Sequence, residues 1–229
     1  DISASIDNAK IGLSSPTNMC LSINVNDLTI TNSQIKVDTT IYSDQFLTTD
    51  TIYGDMYLSS AGATGGSFSI NDCTINKANI DAQVDLYIDN LELINSTINS
   101  NNIYLSNVDF TDVFLGSIED IIVTSGNFVN FSVLYCGRDV VLNGGNYTGL
   151  NGYGVLNLGE YNYTINAGTF TGDVILYSWG DGVINGGTFN ADTLFYFDLL
   201  KLVINGGEFN LTNGLFELEE VYDINEPTK

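Results

Sequence analysis

The residues able to do chemistry in this 229-residue chain are few. Histidine is absent, and arginine occurs once, at Arg138. Without histidine no Ser-His or Cys-His nucleophile pair can form. Arg138 stands in Cys136-Gly137-Arg138-Asp139, where the adjacent aspartate and a turn-like setting predict a surface ion pair. Carboxylates are the abundant reactive group. Asp81, Asp85 and Asp89 fall at even spacing, as on one face of an extended segment, and Asp109 lies close to Asp112. Neither set matches an EF-hand loop or a glycine-rich calcium nonapeptide, so a solvated acidic face is expected, with Ca2+ the one cation it would suit. No other cofactor is predicted. Cys20, Cys73 and Cys136 are odd in number and widely spaced, which gives neither a disulfide framework nor a zinc site.

Charge narrows the partners. Acidic residues outnumber basic ones 28 to 6, for a formal net charge of -22. Such a chain repels nucleic acid and anionic membrane surfaces, and no apolar stretch is long enough for membrane insertion. The 44% hydrophobic content supports a substantial core. Asn, Thr, Ser, Gly and Tyr are plentiful while Lys, Arg and His are scarce, a balance that points to an extracellular or cell-surface setting. The chain opens at Asp1 without a methionine and ends in Glu-Pro-Thr-Lys, so it reads as a piece of something longer.

The elements that position these residues come from a repeat. Leu142-Asn143-Gly144-Gly145-Asn146-Tyr147 recurs as Ile165-Asn166-Ala167-Gly168-Thr169-Phe170, Ile184-Asn185-Gly186-Gly187-Thr188-Phe189 and Ile204-Asn205-Gly206-Gly207-Glu208-Phe209, with Val123-Thr124-Ser125-Gly126-Asn127-Phe128 a drifted copy. Successive aromatics are 19, 23, 19 and 20 residues apart. Each copy reads as a strand end, a turn that needs positive φ, and a second strand carrying the aromatic. A unit this short cannot bury its own apolar face and does so by stacking on copies of itself. Parallel stacking with a crossover bias to the right hand predicts a right-handed parallel β-helix, all-β, with rungs of about 20 residues. Asn143, Asn166, Asn185 and Asn205 would then form a buried amide ladder at one corner, and Phe128, Tyr147, Phe170, Phe189 and Phe209 an internal stack. In the first half Ile70-Asn71-Asp72-Cys73-Thr74-Ile75 and Thr64-Gly65-Gly66-Ser67-Phe68 compete for the same corner. Ile30-Thr31-Asn32-Ser33-Gln34-Ile35 and Leu93-Ile94-Asn95-Ser96-Thr97-Ile98 look like drifted copies. The organisation expected is 1–25 as cap or first rung, 26–216 as β-helix and 217–229 as an acidic closing segment leading into a linker.

With its Asn corner ladder, internal aromatic stack and 19- to 23-residue rungs, the chain resembles the pectin-lyase-like parallel β-helix superfamily. That resemblance implies either a polysaccharide lyase or glycoside hydrolase, or a non-catalytic adhesin-like surface protein. Its lyases use Arg or Lys beside Asp-bound calcium, and its hydrolases use grouped Asp residues near His and an Arg-x-Lys. The chain has no His, no Arg-x-Lys and one Arg, and Asp139 and Asp181 lie two rungs apart, roughly 10 Å by strand spacing, beyond the span of a glycosidase acid pair. No catalytic residue is therefore assigned.

A second aromatic set follows seven residues behind the first, at Tyr135, Tyr177, Tyr196 and Phe216, beside Leu134, Leu176, Phe195 and Leu215. Strand parity makes one of the two sets face outward. The predicted ligand site is thus Tyr135, Tyr177 and Tyr196 with Trp179 at its edge, a platform for sugar rings. The alternative is a strip covered by a neighbouring domain or by self-association. The expected function is a non-enzymatic rod-like spacer with an adhesion or glycan-binding surface, the alternative being a carbohydrate-active enzyme with an atypical site.

Overall fold

A computed structural model describes residues 3–11, 20–24, 27–31, 34–35, 38–42, 45–48, 51–59, 67–81, 84–149, 155–196 and 201–212. All secondary structure among them is β, and every strand pairing is parallel. The chain is a parallel β-solenoid with rungs of about 19 residues. From Leu86 the first core column passes through Ile103, Ile121, Val140, Tyr163 and Gly182 to Leu202, which is six turns.

Each rung has three faces. The first comprises the opening of Asp85–Ile94, then Ile103–Ser106, Ile121–Val123, Asp139–Leu142, Asn162–Ile165, Gly182–Ile184 and Leu202–Ile204. The second comprises the end of Asp85–Ile94, Val108–Thr111, Gly126–Val129, Asn146–Thr148, the openings of Thr169–Ser178 and Thr188–Tyr196, and Glu208–Leu211. The third includes Thr97–Ser100, Phe114–Ser117, Phe131–Cys136, Leu156–Gly159 and the ends of Thr169–Ser178 and Thr188–Tyr196.

Alternation along these strands sends Leu, Ile, Val and aromatic residues inward. The aromatic column is buried through Phe128, Tyr147, Phe170 and Phe189, and Phe209 is half-buried where the described stack ends. Adjacent rings stack with centroids 4.8 Å apart and planes 5–9° off parallel, the distance that rung spacing imposes. Each buried ring contributes roughly 1.5–3 kcal/mol of transfer free energy. One member escaped the sequence reading: Phe110 pairs with Phe128, edge to face at 5.9 Å, and Leu93 pairs with Phe110. The rung carrying Phe110 has Val108 where later rungs have glycine, so the hexapeptide pattern is not there to see.

The corners explain the drift. At the first corner Asn90 and Asn107 hold the left-handed conformation, with φ of 53° and 52°. From Gly126 onward glycine takes over, and Gly145, Gly168, Gly187 and Gly207 all have positive φ. At the second corner Asn95, Asp112 and Asn130 do the same work. Leu93-Ile94-Asn95-Ser96-Thr97-Ile98 therefore belongs to this second corner and is not a drifted copy of the first. Backbone register also decides the competing early copies. Ile70 lies opposite Ile88, hence in line with Leu105 and Val123, whereas Phe68 lies opposite Leu86 on the first face and outside the aromatic column. The third corner repeats a small buried residue, two turn residues and Asp or Asn: Ser117-Ile118-Glu119-Asp120, Cys136-Gly137-Arg138-Asp139 and Ser178-Trp179-Gly180-Asp181. Ser117 Oγ donates to the Asn101 carbonyl and accepts from the Glu119 N–H, and Cys136 Sγ donates to the Glu119 carbonyl.

The Asn ladder runs from rung to rung along the first corner, but at the surface. Asn166 donates to Asn143, Asn185 to Asn166 and Asn205 to Asn185, over 2.7–2.8 Å, and all four side chains are exposed. The expectation of a buried ladder is corrected: each Asn follows an inward residue on its strand and so points outward, just before the positive-φ glycine two residues on. Residues 217–229 and Phe216 lie outside the described residues, as do the side chains of Cys20 and Cys73.

Two tyrosines of the interior separate packing from polar satisfaction. Tyr147 donates its hydroxyl to the Gly144 carbonyl at 2.9 Å, whereas the buried Tyr163 hydroxyl has no partner. The Tyr163 ring occupies the space beside Gly182, where a β-carbon would lie 2.1 Å from Cζ. Tyr147→Phe is expected to lose about 1 kcal/mol in denaturant unfolding, and Tyr163→Phe to be neutral or stabilising. Gly182→Val should cost about 1–3 kcal/mol or more by overpacking. Asn185→Ala, on an exposed ladder, should cost under about 1 kcal/mol, less than a buried amide would.

Candidate functional site

Of the predicted ligand residues, the structure places Tyr135 and Trp179 at the surface, each 39% exposed. Tyr177 pairs in backbone register with Tyr196 and, on its other side, with Asn157. The side chains of Tyr177 and Tyr196 lie outside the described residues. Tyr135 does not share their column. The line through Tyr196, Tyr177 and Asn157 continues to Ser132, Phe114 and Thr97, while Tyr135 lies opposite Gly116. A constant offset of seven residues fails because the second corner changes length. From Phe128 the third face begins three residues on, at Phe131, but its counterpart behind Phe170 is Leu176, six residues on.

Strict inward–outward alternation fails on the third face for a related reason. Leu134 and Tyr135 are adjacent and both exposed, because the ladder shifts register at Leu115/Gly116 and leaves Leu134 as an extra residue. Ile175 and Leu176 are adjacent and both fully buried.

The bulge has a chemical consequence. It lets the Tyr135 ring lie across Gly116, where a β-carbon would come within 2.4 Å of Cε1 and the Asn99 amide oxygen is in the same space. That Asn99 oxygen is buried and unpartnered. Partial burial raises the Tyr135 hydroxyl above the usual tyrosine value, and the charge of Asp81 adds to the rise. Exposed Leu134 precedes Tyr135 on the same strand, exposed Ile118 stands at the third corner one rung earlier, and the Tyr161 hydroxyl donates to the Leu134 carbonyl at 2.9 Å. By contrast Tyr87 and Tyr104 stack on one another at 4.7 Å with planes 5° apart, so each covers a face of the other.

Arg138 pairs with the preceding rung. Its guanidinium donates to Asp120 through Nε at 3.2 Å and Nη2 at 2.5 Å, and to Glu119 at 3.1 Å. The expected pairing with Asp139 is thereby corrected: side chains at a corner meet their counterparts one rung away more closely than their chain neighbours. The Asp120 hydrogen bonds hold the guanidinium still further above its ordinary value, the reverse of what a catalytic base needs.

The carboxylates considered for calcium are dispersed. Asp81 closes Ser67–Asp81 and pairs with Asn99 on the third face, whereas Asp85 and Asp89 lie on Asp85–Ile94, so the three do not share a face. Four carboxylates instead accept a hydrogen bond from an asparagine one rung on: Asp85 from Asn102, Asp89 from Asn107, Asp109 from Asn127 and Asp112 from Asn130, at 2.5–2.9 Å. Among the described residues no three His, Cys, Asp or Glu side chains converge as a metal ion requires.

The first face carries the most regular outward surface. Its central column is Tyr87, Tyr104, Ile122, Val141, Thr164, Val183 and Val203. On one flank, toward the third corner, run Asp85, Asn102, Asp120, Asp139, Asn162, Asp181 and Lys201, and on the other lies the Asn ladder. No protein-family model, curated protein or solved structure matches the chain.

Arg138→Gln should leave the β spectrum intact and lower the melting temperature more at low salt than at high salt, because Asp120 and Asp139 then stand one rung apart uncompensated. Adding Asp139→Asn should restore most of the loss.

Proposed function

We propose that the chain is a non-enzymatic extracellular β-helix domain that serves as a rod-like spacer and as an adhesion or glycan-binding surface, on the pattern of adhesin-like members of the pectin-lyase-like superfamily. The observation that carries the reading is the Tyr135 ring laid across Gly116. A ring seated on backbone keeps its outer face open, and an open aromatic face with polar neighbours is what the apolar side of a sugar needs. Asp81 supplies a polar group beside it, and exposed Leu134 and Ile118 extend the apolar contact. The Asn-, Thr- and Ser-rich composition and the large negative charge support an extracellular or cell-surface location and exclude polyanions as partners. The engagement of Arg138 with Asp120 and Glu119 leaves the one arginine in a structural role, which speaks against its serving as a lyase base.

An array of neutral and acidic glycans should return ligands for the chain, and Tyr135→Ala should weaken binding by about 1–2 kcal/mol, the scale of one lost aromatic contact. Incubation with acidic polysaccharides, with or without calcium, should release neither unsaturated nor reducing ends. Turnover that disappears in Arg138→Ala would establish the enzyme instead. An empty array, with dimerisation abolished by Leu134→Glu, would make the patch an assembly surface.

A further inference from the structure

Extending the proposed glycan-binding reading, on which this rests, we infer that the first face is a second track, selective for a linear polysaccharide of β-1,4-linked amino sugars carrying free amines. The outward columns of that face run parallel to the solenoid axis for six turns, with one residue every ~4.8 Å. An extended β-1,4 glycan advances by close to that distance per sugar, whereas an extended peptide laid along the same track would place its same-side residues every ~6.8 Å and drift out of step.

The chemistry of the columns suits such a chain. Val141, Thr164 and Val183 form a half-exposed, mostly aliphatic floor against which the C–H faces of successive sugars pack. Along one edge stand Asp139, Asn162 and Asp181, all exposed. Among the described residues no side chain makes a direct hydrogen bond or ion pair to the carboxylates of Asp139 and Asp181, and the nearby Arg138 charge acts on Asp139 only at longer range. They are two rungs apart, because Asn162 lies opposite Asp139 and its amide oxygen accepts from the Asp181 N–H. In a two-fold extended β-1,4 chain the same substituent returns to the same edge at every second sugar. An amine at that position would therefore meet Asp139 and then Asp181, with the intervening sugar opposite the Asn162 amide. Along the other edge Asn166 and Asn185 each use one amide N–H and one oxygen lone pair in their own ladder, and Asn143 an oxygen lone pair, leaving further donors and acceptors for hydroxyls.

Charge selects among occupants of the same shape. With a formal net charge of -22, the chain repels uronate polymers, nucleic acid and a second copy of itself, and attracts a cationic polymer.

The test uses the whole chain in mildly acidic buffer, with glucosamine hexamer, its fully N-acetylated form, a neutral glucose hexamer of the same linkage, and hexalysine as probes, read by calorimetry. The glucosamine hexamer should bind, weakening with added salt, while the acetylated and neutral hexamers bind at least about tenfold more weakly. Asp139→Asn combined with Asp181→Asn keeps shape and removes charge, and should cost about tenfold in affinity. Val141→Arg, checked for folding by its circular dichroism, should abolish binding. Glu92→Gln, at an exposed carboxylate of the second face, should leave it unchanged. Equal binding of the acetylated hexamer, equal binding of hexalysine, or full affinity in the double amide variant would each overturn the inference. Failure to bind the glucosamine hexamer while array ligands remain sensitive to Tyr135→Ala would overturn this inference alone. Loss of every glycan would remove the proposed function with it.

Discussion

Parallel stacking in register puts each residue directly over its counterpart one rung away, at ~4.8 Å, and the rest of this structure depends on that constraint. For apolar residues the arrangement is favourable, and it gives the continuous aromatic stack from Phe128 to Phe209. For charged residues it is adverse, because like would sit on like. The chain answers with asparagine. Asp85, Asp89, Asp109 and Asp112 each face an asparagine that donates to the carboxylate. In the acidic column of the first face, aspartate follows aspartate once, at Asp120 and Asp139, and there the single arginine sits on Asp120. Glu92 opposite Asp109 is tolerated at the exposed surface, where water and salt screen the pair. A strongly acidic protein can thus keep a repetitive fold without basic residues in matching number.

The same constraint governs what the surface offers. Rings that share a column cover one another, as Tyr87 and Tyr104 do, and lose the faces on which a sugar would stack. A break in register is one way to leave a ring uncovered. The extra residue at Leu134 makes that break, and a glycine opposite leaves room for Tyr135 to lie down on the sheet. On the proposed readings, the irregular patch would take a sugar ring and the regular columns of fixed pitch a linear polymer.

Corners set which residues fall in which column. All three use backbone or small side chains in place of tertiary packing: glycine or asparagine with positive φ at the first, asparagine or aspartate at the second, and a buried Ser or Cys closing its own turn at the third. Because these devices are interchangeable in geometry but not in appearance, successive rungs keep one shape while their sequences drift. That is why Phe110 and Ile70 belong to columns that the hexapeptide pattern shows only in part.

By itself the sequence determined the all-β solenoid, its rung period and the inward columns, since these follow from periodicity and from burial. Asn143 to Asn205 and Phe128 to Phe209 could be aligned from spacing alone, because the chain between each of these Asn and its aromatic has constant length. Tertiary structure alone decided the outward neighbours. Arg138 meets Asp120, eighteen residues away, and not the adjacent Asp139. Tyr135 parts from Tyr177 and Tyr196, because the second corner spans three residues in one rung and six in another and a bulge intervenes. Those lengths are absorbed within turns that the hydrophobic pattern does not mark, so only closure of the full rung shows which surface residues stand side by side.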